Sequence, residues 1–423
     1  MNNKLELIKK IKTVDNRNII LFLTGKFVSL FGTNIYAFSI GLYLLKITGS
    51  GMSFSLNFAL NTIPRILLGP IAGVISDRLD KKKLVVITDM LSGLLLIILF
   101  FIIITNELNI IYIYITTILL TSLNTIFGVS FTSSLPNLVN DENLVKITSY
   151  NTSINSLTNI LGPVVGGLVY GFFDIKYIIL INGISFVLSS ISEYMIDFEA
   201  YKSNSVQTSS KEKSSILNDI KEGLNYIKQK KVLFTLFMIF PIINFLFTAI
   251  NICFPYITVQ DLLLPSKYVG IIEGSFACGM LLMSLIFSYI PEIKRVGLSI
   301  GLCTASLGLL TSLIGIPVSG LVETKSLMFY VIYYCTIGLI IGCFIVLINL
   351  PLNLTLQRKT PENFRGRLFG ILDTISSIIT PIACILFGFL IDIVPSHLIV
   401  FISGGLLVIV GIMISFNKTL HKI

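Results

Sequence analysis

The chain has 423 residues, of which 54% are hydrophobic and only 13% charged, and its mean hydropathy is +0.89. A soluble domain carries about 25% charge, so this composition excludes an ordinary soluble enzyme. The net charge of +9 raises nucleic-acid binding as a class, but the placement of the cations along the chain accounts for it better as membrane topology.

Lys4, Lys9, Lys10, Lys12 and Arg17 precede the first apolar run. That run is too long for a secretory signal and no small-residue cleavage site follows it. Leu5, Ile8 and Lys12 predict a short basic amphipathic start on the membrane surface. A spanning helix needs about 20 mostly apolar residues, and twelve such runs are predicted. The first six lie near 18–46, 52–76, 84–105, 110–133, 148–172 and 176–197. The second six lie near 231–257, 267–290, 297–318, 328–355, 367–391 and 398–417. The expected architecture is an all-α membrane protein with two six-helix halves, 1–200 and 231–423, joined by a cytoplasmic linker at 201–230.

The linker opens polar and Ser-rich, and Ile216, Ile220, Leu224 and Ile227 then form an apolar stripe that predicts an amphipathic helix. With twelve spans, both termini and the even-numbered connections share one side. That side holds 25 of the 31 Lys and Arg residues; the other holds Lys46, Lys176, Lys267 and Lys325, and Lys26 and Arg65 fall inside spans. The positive-inside rule therefore places both termini in the cytoplasm of a multi-pass protein of the bacterial cytoplasmic membrane. Trp is absent, so Tyr must supply the interfacial aromatic belt.

Neither a metal site nor a disulfide framework is expected. His397 and His421 stand far apart without ligand partners. The six cysteines, Cys253, Cys278, Cys303, Cys335, Cys343 and Cys384, lie in apolar runs and form no CxxC, which reads as packing. ATP is not expected as the energy source, because the only Gly-Lys pair, Gly25-Lys26, is followed by Phe27 and makes no P-loop.

Four sequence blocks resemble one family. Between spans two and three stands Gly73-Val74-Ile75-Ser76-Asp77-Arg78-Leu79-Asp80-Lys81-Lys82, with Asp80 where the family usually has Gly. Span five contains Gly162-Pro163-Val164-Val165-Gly166-Gly167. Lys221 to Tyr226 precedes span seven, and Thr360-Pro361-Glu362-Asn363-Phe364-Arg365-Gly366-Arg367 precedes span eleven. Together they resemble the major facilitator superfamily, in its macrolide-efflux-like, drug:proton antiporter branch. A shift of 218 residues also aligns Pro163 with Pro381 and Asp174-Ile175 with Asp392-Ile393, echoing span five in span eleven.

The resemblance implies alternating access, a small-molecule substrate, a monomer in the lipid bilayer, and the proton gradient in place of any cofactor or catalytic residue. It implies that Gly73, Asp77, Arg78, Lys81 and Lys82 form a cytoplasmic gate, with Asp77 accepting hydrogen bonds from the start of span eleven and the cations facing Asp141 or Glu142. For Gly162, Pro163, Gly166 and Gly167 it implies a bend that favours antiport, and ordinary close packing accounts for the same residues. Asn124, four before Gly128, stands where proton-driven exporters carry Arg in span four.

Ionisable residues inside spans cost roughly 2.5–3.5 kcal/mol at a helix centre and are site candidates. Arg65 lies about 18 Å along a helix from Asp77, near the midplane, and reads as a cavity residue. Lys26 reads equally as a cavity residue or a snorkelling one. A carboxylate shielded from water can carry a proton near neutral pH, so Glu273 and Asp373 are the first proton-carrier candidates, against a charge-balancing role for Glu273. Asp89 is read as support for the motif loop, and Glu193 lies near a cytoplasmic end. Asn155 and Asn159, four residues after and beyond Asn151, share a face with it, as Asn349 does with Asn353; they line a polar cavity or tie helices together. The expected function is proton-coupled efflux of macrolide-like or other amphiphilic compounds. The alternatives are a metabolite or siderophore transporter, working as exporter or symporter, and a non-transporting receptor.

Overall fold

The computed structural model describes residues 2–105, 109–198, 201, 225–287, 289, 295–321, 326–417 and 420, with the side chains of 2–16 and a few later positions set aside. Among the described residues the chain is helical and has no strand. Eleven helical segments among the described residues are long and apolar enough to cross a membrane. The predicted amphipathic helix of the linker lies largely outside the described residues.

Helix α1 (Asn2–Thr48) runs without interruption through the first predicted span. The second predicted span is two helices, α2 (Gly51–Leu60) and α3 (Ile63–Arg78). A single run of 52–76 was expected, and Pro64 breaks it. Proline lacks an N–H and clashes with the carbonyl four residues back, yet it is tolerated in a helix's first turn, where Pro64 stands in α3. Then follow α4 (Lys81–Thr105), α5 (Ile110–Leu138), α6 (Asp141–Phe172) and α7 (Ile175–Tyr194). Helix α6 has 32 residues, ample length for a crossing, but it is not among the eleven apolar segments. Its first half is crowded with Asn, Ser and Thr. The second half of the sequence forms α8 (Lys231–Tyr256), α9 (Ser266–Phe287), α10 (Val296–Ile314), α11 (Leu327–Lys359), α12 (Glu362–Ile393) and α13 (Ser396–Ser415).

These helices form two compact units, residues 1–40 with 60–208 and residues 41–59 with 209–423. In the first, α4 and α7 touch backbone to backbone: a Cβ on Gly93 would lie 2.8 Å from the Gly183 carbonyl oxygen. In the second, α10 and α13 do the same, with a Cβ on Gly308 or on Gly404 falling 2.5 Å from the other's carbonyl oxygen. Lipid offers no hydrophobic drive for helices to associate, so close packing of small residues supplies it. The third helix of each set of six predicted spans thus seats against the sixth in the same way. At one end of the first unit, Phe22 stacks on Phe131 with ring centroids 4.2 Å apart, inside a cluster that includes Ile19, Val85, Leu138 and Ile196.

The second unit includes the end of α1 and all of α2 up to Ala59. Asp392, in the last turn of α12, accepts from Ser50 Oγ at 2.6 Å and from the backbone N–H groups of Gly51 and Met52 at 2.6 and 3.1 Å. It therefore caps a helix distant in sequence. Its sequence echo Asp174 instead caps its own following helix, accepting from Lys176 N at 3.1 Å. Loss of a helix cap costs about 0.5–2 kcal/mol. Asp392→Ala is accordingly expected to lower the melting temperature of the purified protein in a thiol-dye melt, and an unchanged melt would mean that α2 starts equally well without the carboxylate.

Candidate functional site

A cavity of about 470 Å³ lies within the first unit, between α1, α3, α5 and α6. Its polar wall is rich in amides, with Asn34, Asn61, Asn124, Asn155 and Asn159, and carries hydroxyls such as Ser29 and Thr33. Leu30, Ala37, Leu120 and Phe127 supply apolar surface beside them. Lys26 and Arg65 both line it, and no carboxylate is among its lining residues. Arg65 sits in the first turn of α3, just past the break before Pro64, which carries its long side chain into open space. Lys26 is 4% exposed, and its ammonium donates to Asn151 Oδ1 on α6. A buried cation requires such a partner, and Lys26 therefore does not snorkel away from its helix neighbours.

The asparagines divide between the cavity wall and contacts between helices. Asn155 and Asn159 line the cavity, and Asn34 Nδ2 donates to Asn159 Oδ1 at 3.2 Å, tying α1 to α6. Asn349 of α11 and Asn244 of α8 line a separate cavity of about 110 Å³ in the second unit. Asn124 and Gly128 also line the first-unit cavity, where Asn124 presents an amide.

The loop between α3 and α4 is held within its own unit. Lys81 Nζ donates to the Ser133 carbonyl on α5 at 2.8 Å, and Lys82 Nζ lies 4.9 Å from the Tyr194 ring centroid on α7. Asp80 replaces the usual Gly for a local reason: its Oδ1 accepts from the Lys82 N–H at 2.9 Å, which caps α4. Asp77 and Arg78 are exposed at the end of α3. The side chains of Asp141 and Glu142, expected to meet these cations, lie outside the described residues. A Cβ on Gly73 would meet nothing within 4 Å, so close packing does not require this glycine.

Span five is the opposite case. A Cβ on Gly162 would fall 2.3 Å from Asn34 Cβ, and one on Gly166 would fall 2.9 Å from the Ile35 carbonyl oxygen. Ser39 Oγ donates to the Gly166 carbonyl at 3.0 Å, in the same seam between α1 and α6. Pro163 lies inside α6 between the two glycines, and Gly167 is buried beside them.

Of the two proton-carrier candidates, Glu273 lies half-buried in α9 of the second unit. Asp373 is on α12, and its side chain lies outside those described. Asp89 departs from its expected role: it does not reach the motif loop. Its Oδ2 accepts from Ser29 Oγ of α1 at 2.6 Å, and its carboxyl faces Glu193 of α7. The pair is 1% and 0% exposed. Sequence reading missed it because the two acids stand more than a hundred residues apart and each alone looks close enough to a helix end to reach water. One signal was available: Ser189 precedes Glu193 by one turn on a face otherwise committed to packing.

A family model described as "Major Facilitator Superfamily" matches residues 22–383. The chain belongs to this superfamily. It is 27% identical over 400 residues to "Macrolide efflux protein A" of Streptococcus pyogenes, spanning 94% of this chain and 95% of that protein. A 335-residue match of the same identity, to the protein of that name from Enterococcus faecalis, covers 79% of this chain and 99% of that one. Among solved structures, the nucleoside transporter NupG superposes with a TM-score of 0.68 at 12% identity, covering 95% of this chain and 98% of that one. A bacterial homologue of the iron transporter ferroportin, in an inward-facing state, gives the same TM-score at 16% identity, with 95% and 99% covered. At these identities the structural likeness establishes the major facilitator fold alone. The expectation of an all-α transporter of this superfamily is met.

The seam between α1 and α6 separates two kinds of superfamily glycine. Overpacking costs about 1–3 kcal/mol, so Gly162→Leu is expected to reduce the yield of monodisperse protein in size-exclusion chromatography. Gly73→Ala is expected to leave that yield unchanged or improved, since a helical Gly costs about 0.5–1 kcal/mol relative to Ala. Equal yields for both variants would mean that the seam yields to bulk.

Proposed function

We propose that this transporter exports amphiphilic small molecules, macrolide-like or otherwise drug-like, across the bacterial cytoplasmic membrane by proton-coupled alternating access. The observation that carries the reading is the near full-length similarity to proteins named for macrolide efflux. The cavity fits such a cargo, because amides and hydroxyls stand beside Leu30, Leu120 and Phe127 and offer hydrogen bonds at the edge of an apolar surface. The close α1–α6 seam at Gly162 and Gly166 suits an antiporter that must not leak. In this reading both termini are cytoplasmic, the working unit is a monomer, and Gly73, Asp77, Arg78, Lys81 and Lys82 form the cytoplasmic gate. One charge crossing 100 mV supplies about 2.3 kcal/mol, enough for roughly a 50-fold substrate gradient.

A second reading, export or symport of an anionic metabolite or siderophore, draws on one observation. Lys26 and Arg65 line the cavity with no carboxylate among its lining residues, and a cavity of one sign concentrates ligands of the other.

The test is the susceptibility of a drug-hypersensitive host expressing the chain, across macrolides, dyes and fluoroquinolones, with and without a protonophore. Protonophore-sensitive resistance is expected, and Asp77→Asn and Arg65→Ala are expected to return the host to the susceptibility of an empty-vector strain. Correctly inserted protein that confers no resistance, but alters accumulation of anionic metabolites, would favour the second reading.

A further inference from the structure

We propose that Asp89 and Glu193, buried together within the first unit, form the proton-binding site of this transporter, in place of the sequence-derived candidates Glu273 and Asp373. The inference rests on the proton-coupled reading above and names its coupling residues.

The geometry is that of an acid pair without a cation. Asp89 of α4 is 1% exposed and Glu193 of α7 is 0% exposed. Both reach the same stretch of α1, Asp89 through Ser29 and Glu193 beside Gly25, while α4 and α7 touch backbone to backbone at Gly93 and Gly183. Asp89 Oδ2 accepts from Ser29 Oγ at 2.6 Å. Ser189 Oγ lies 3.1 Å from Glu193 Oε1 and 2.9 Å from the Gly25 carbonyl oxygen, so its single hydrogen serves only one of them at a time. Asp89 Oδ1 and Glu193 Oε2 are buried without a hydrogen-bond partner of normal geometry, and the Ser189 hydroxyl, the neighbour common to both acids, has only one hydrogen to give. Two ionised carboxylates cannot satisfy each other, since both only accept. A proton placed between them supplies the missing donor.

The charges around the pair are committed elsewhere. Lys26, on the adjoining face of α1, donates to Asn151 of α6. Arg17 donates to the Met195 carbonyl at 2.8 Å. Lys82 lies over the Tyr194 ring. Among the described residues no cation forms a salt bridge with either acid. Buried charge without a counter-charge is strongly disfavoured even after relaxation, and two like charges side by side add to that. A proton shared by the pair relieves both penalties, and the remaining free oxygens have room for a second.

The pair also has an access route. Ser29 both donates to Asp89 and lines the 470 Å³ cavity, one turn along α1 from Lys26. A proton arriving from water in that cavity reaches Asp89 past the Ser29 hydroxyl. The step transfers H⁺ to a carboxylate oxygen, forms one O–H bond and removes one negative charge; release reverses it. Gly25 makes room for the arrangement, since a Cβ there would lie 3.3 Å from Ser189 Oγ and 3.5 Å from Glu193 Cγ.

The experiment uses the purified full chain in lipid nanodiscs, with the proton as the probe. Infrared difference spectra between acidic and alkaline buffer are recorded for the parent, Asp89→Asn, Glu193→Gln, Ser29→Ala and Glu273→Gln. Proton uptake is counted with a pH-indicator dye, and the host resistance assay is run on the same set. The amides imitate the fully protonated neutral pair, so both variants are expected to fold and elute as the parent does. Asp89→Asn and Glu193→Gln are expected to remove a pH-dependent carboxylic C=O band and about one proton of uptake per chain, with loss of resistance. Ser29→Ala is expected to shift that band and keep it, which guards the test should an acid variant misfold. A band and proton count untouched by Asp89→Asn and Glu193→Gln, or removed by Glu273→Gln instead, would overturn the assignment, including the case in which the two variants lose resistance through a structural defect alone. If the band vanishes as expected while parental resistance ignores the protonophore, the site stands as a proton-binding site and the proton-driven reading of the transporter is what fails.

Discussion

Inside a bilayer a polar group finds partners only within the chain, because lipid tails neither donate nor accept hydrogen bonds. Much of the arrangement of this protein follows from that constraint. Lys26 is buried against Asn151, Asp89 against Ser29 and Glu193, and Ser39 against the Gly166 carbonyl. These contacts tie α1 to α6 twice and to α4 once, and Ser189 of α7 adds a bond to the Gly25 carbonyl of α1. The same helix contributes Asn34 and Thr33 to the polar wall of the cavity and carries the Ser29 hydroxyl that reaches the acid pair. A polar site in lipid thus becomes a packing instruction, because every helix that brings a polar group must find a neighbour to satisfy it.

Close approach of backbones is the second half of the same logic. Where no water is squeezed out, helices gain by fitting surface to surface. Gly93 with Gly183, and Gly308 with Gly404, bring the third helix of each set against the sixth in the two units. Gly162 and Gly166 bring α6 against α1 at the depth of Asn34 and Ile35. That seam lets α6 remain polar over its first half. Its asparagines need only reach the cavity or α1, and its glycines hold it there without an apolar stripe of the usual length.

The charged residues divide by what they have to neutralise. Those at helix ends satisfy backbone groups: Asp80 the start of α4, Asp174 that of α7, and Asp392 that of α2. A carboxylate at a helix start meets both free N–H groups and the positive end of the dipole, so these acids are settled. Asp89 and Glu193 meet neither a helix start nor a cation, and among the described residues of the first unit they are the charged groups with buried oxygens left unpartnered. Lys26 and Arg65 leave the cavity positive, which bears on what it will accept.

The sequence by itself determined the class of molecule, the placement of most spans and the family. Hydrophobic run length is a local property, and runs such as 110–133 and 231–257 end near the observed helices because lipid thickness sets helix length wherever the run sits. The blocks around Asp77 and Gly162 were legible for the same reason, being contiguous. Depth along one helix was enough to single out Arg65, which lines the first-unit cavity. Only the tertiary structure decided which helices meet. It broke the second span before Pro64, joined residues 41–59 to the second unit, and set Asp392 on the start of α2. It also brought Asp89 to Glu193 across more than a hundred residues. Periodicity tells which side of a helix is polar, but not which neighbour receives it. That choice is made by backbone fit and by the pairing of buried polar groups, and both belong to the assembled helices.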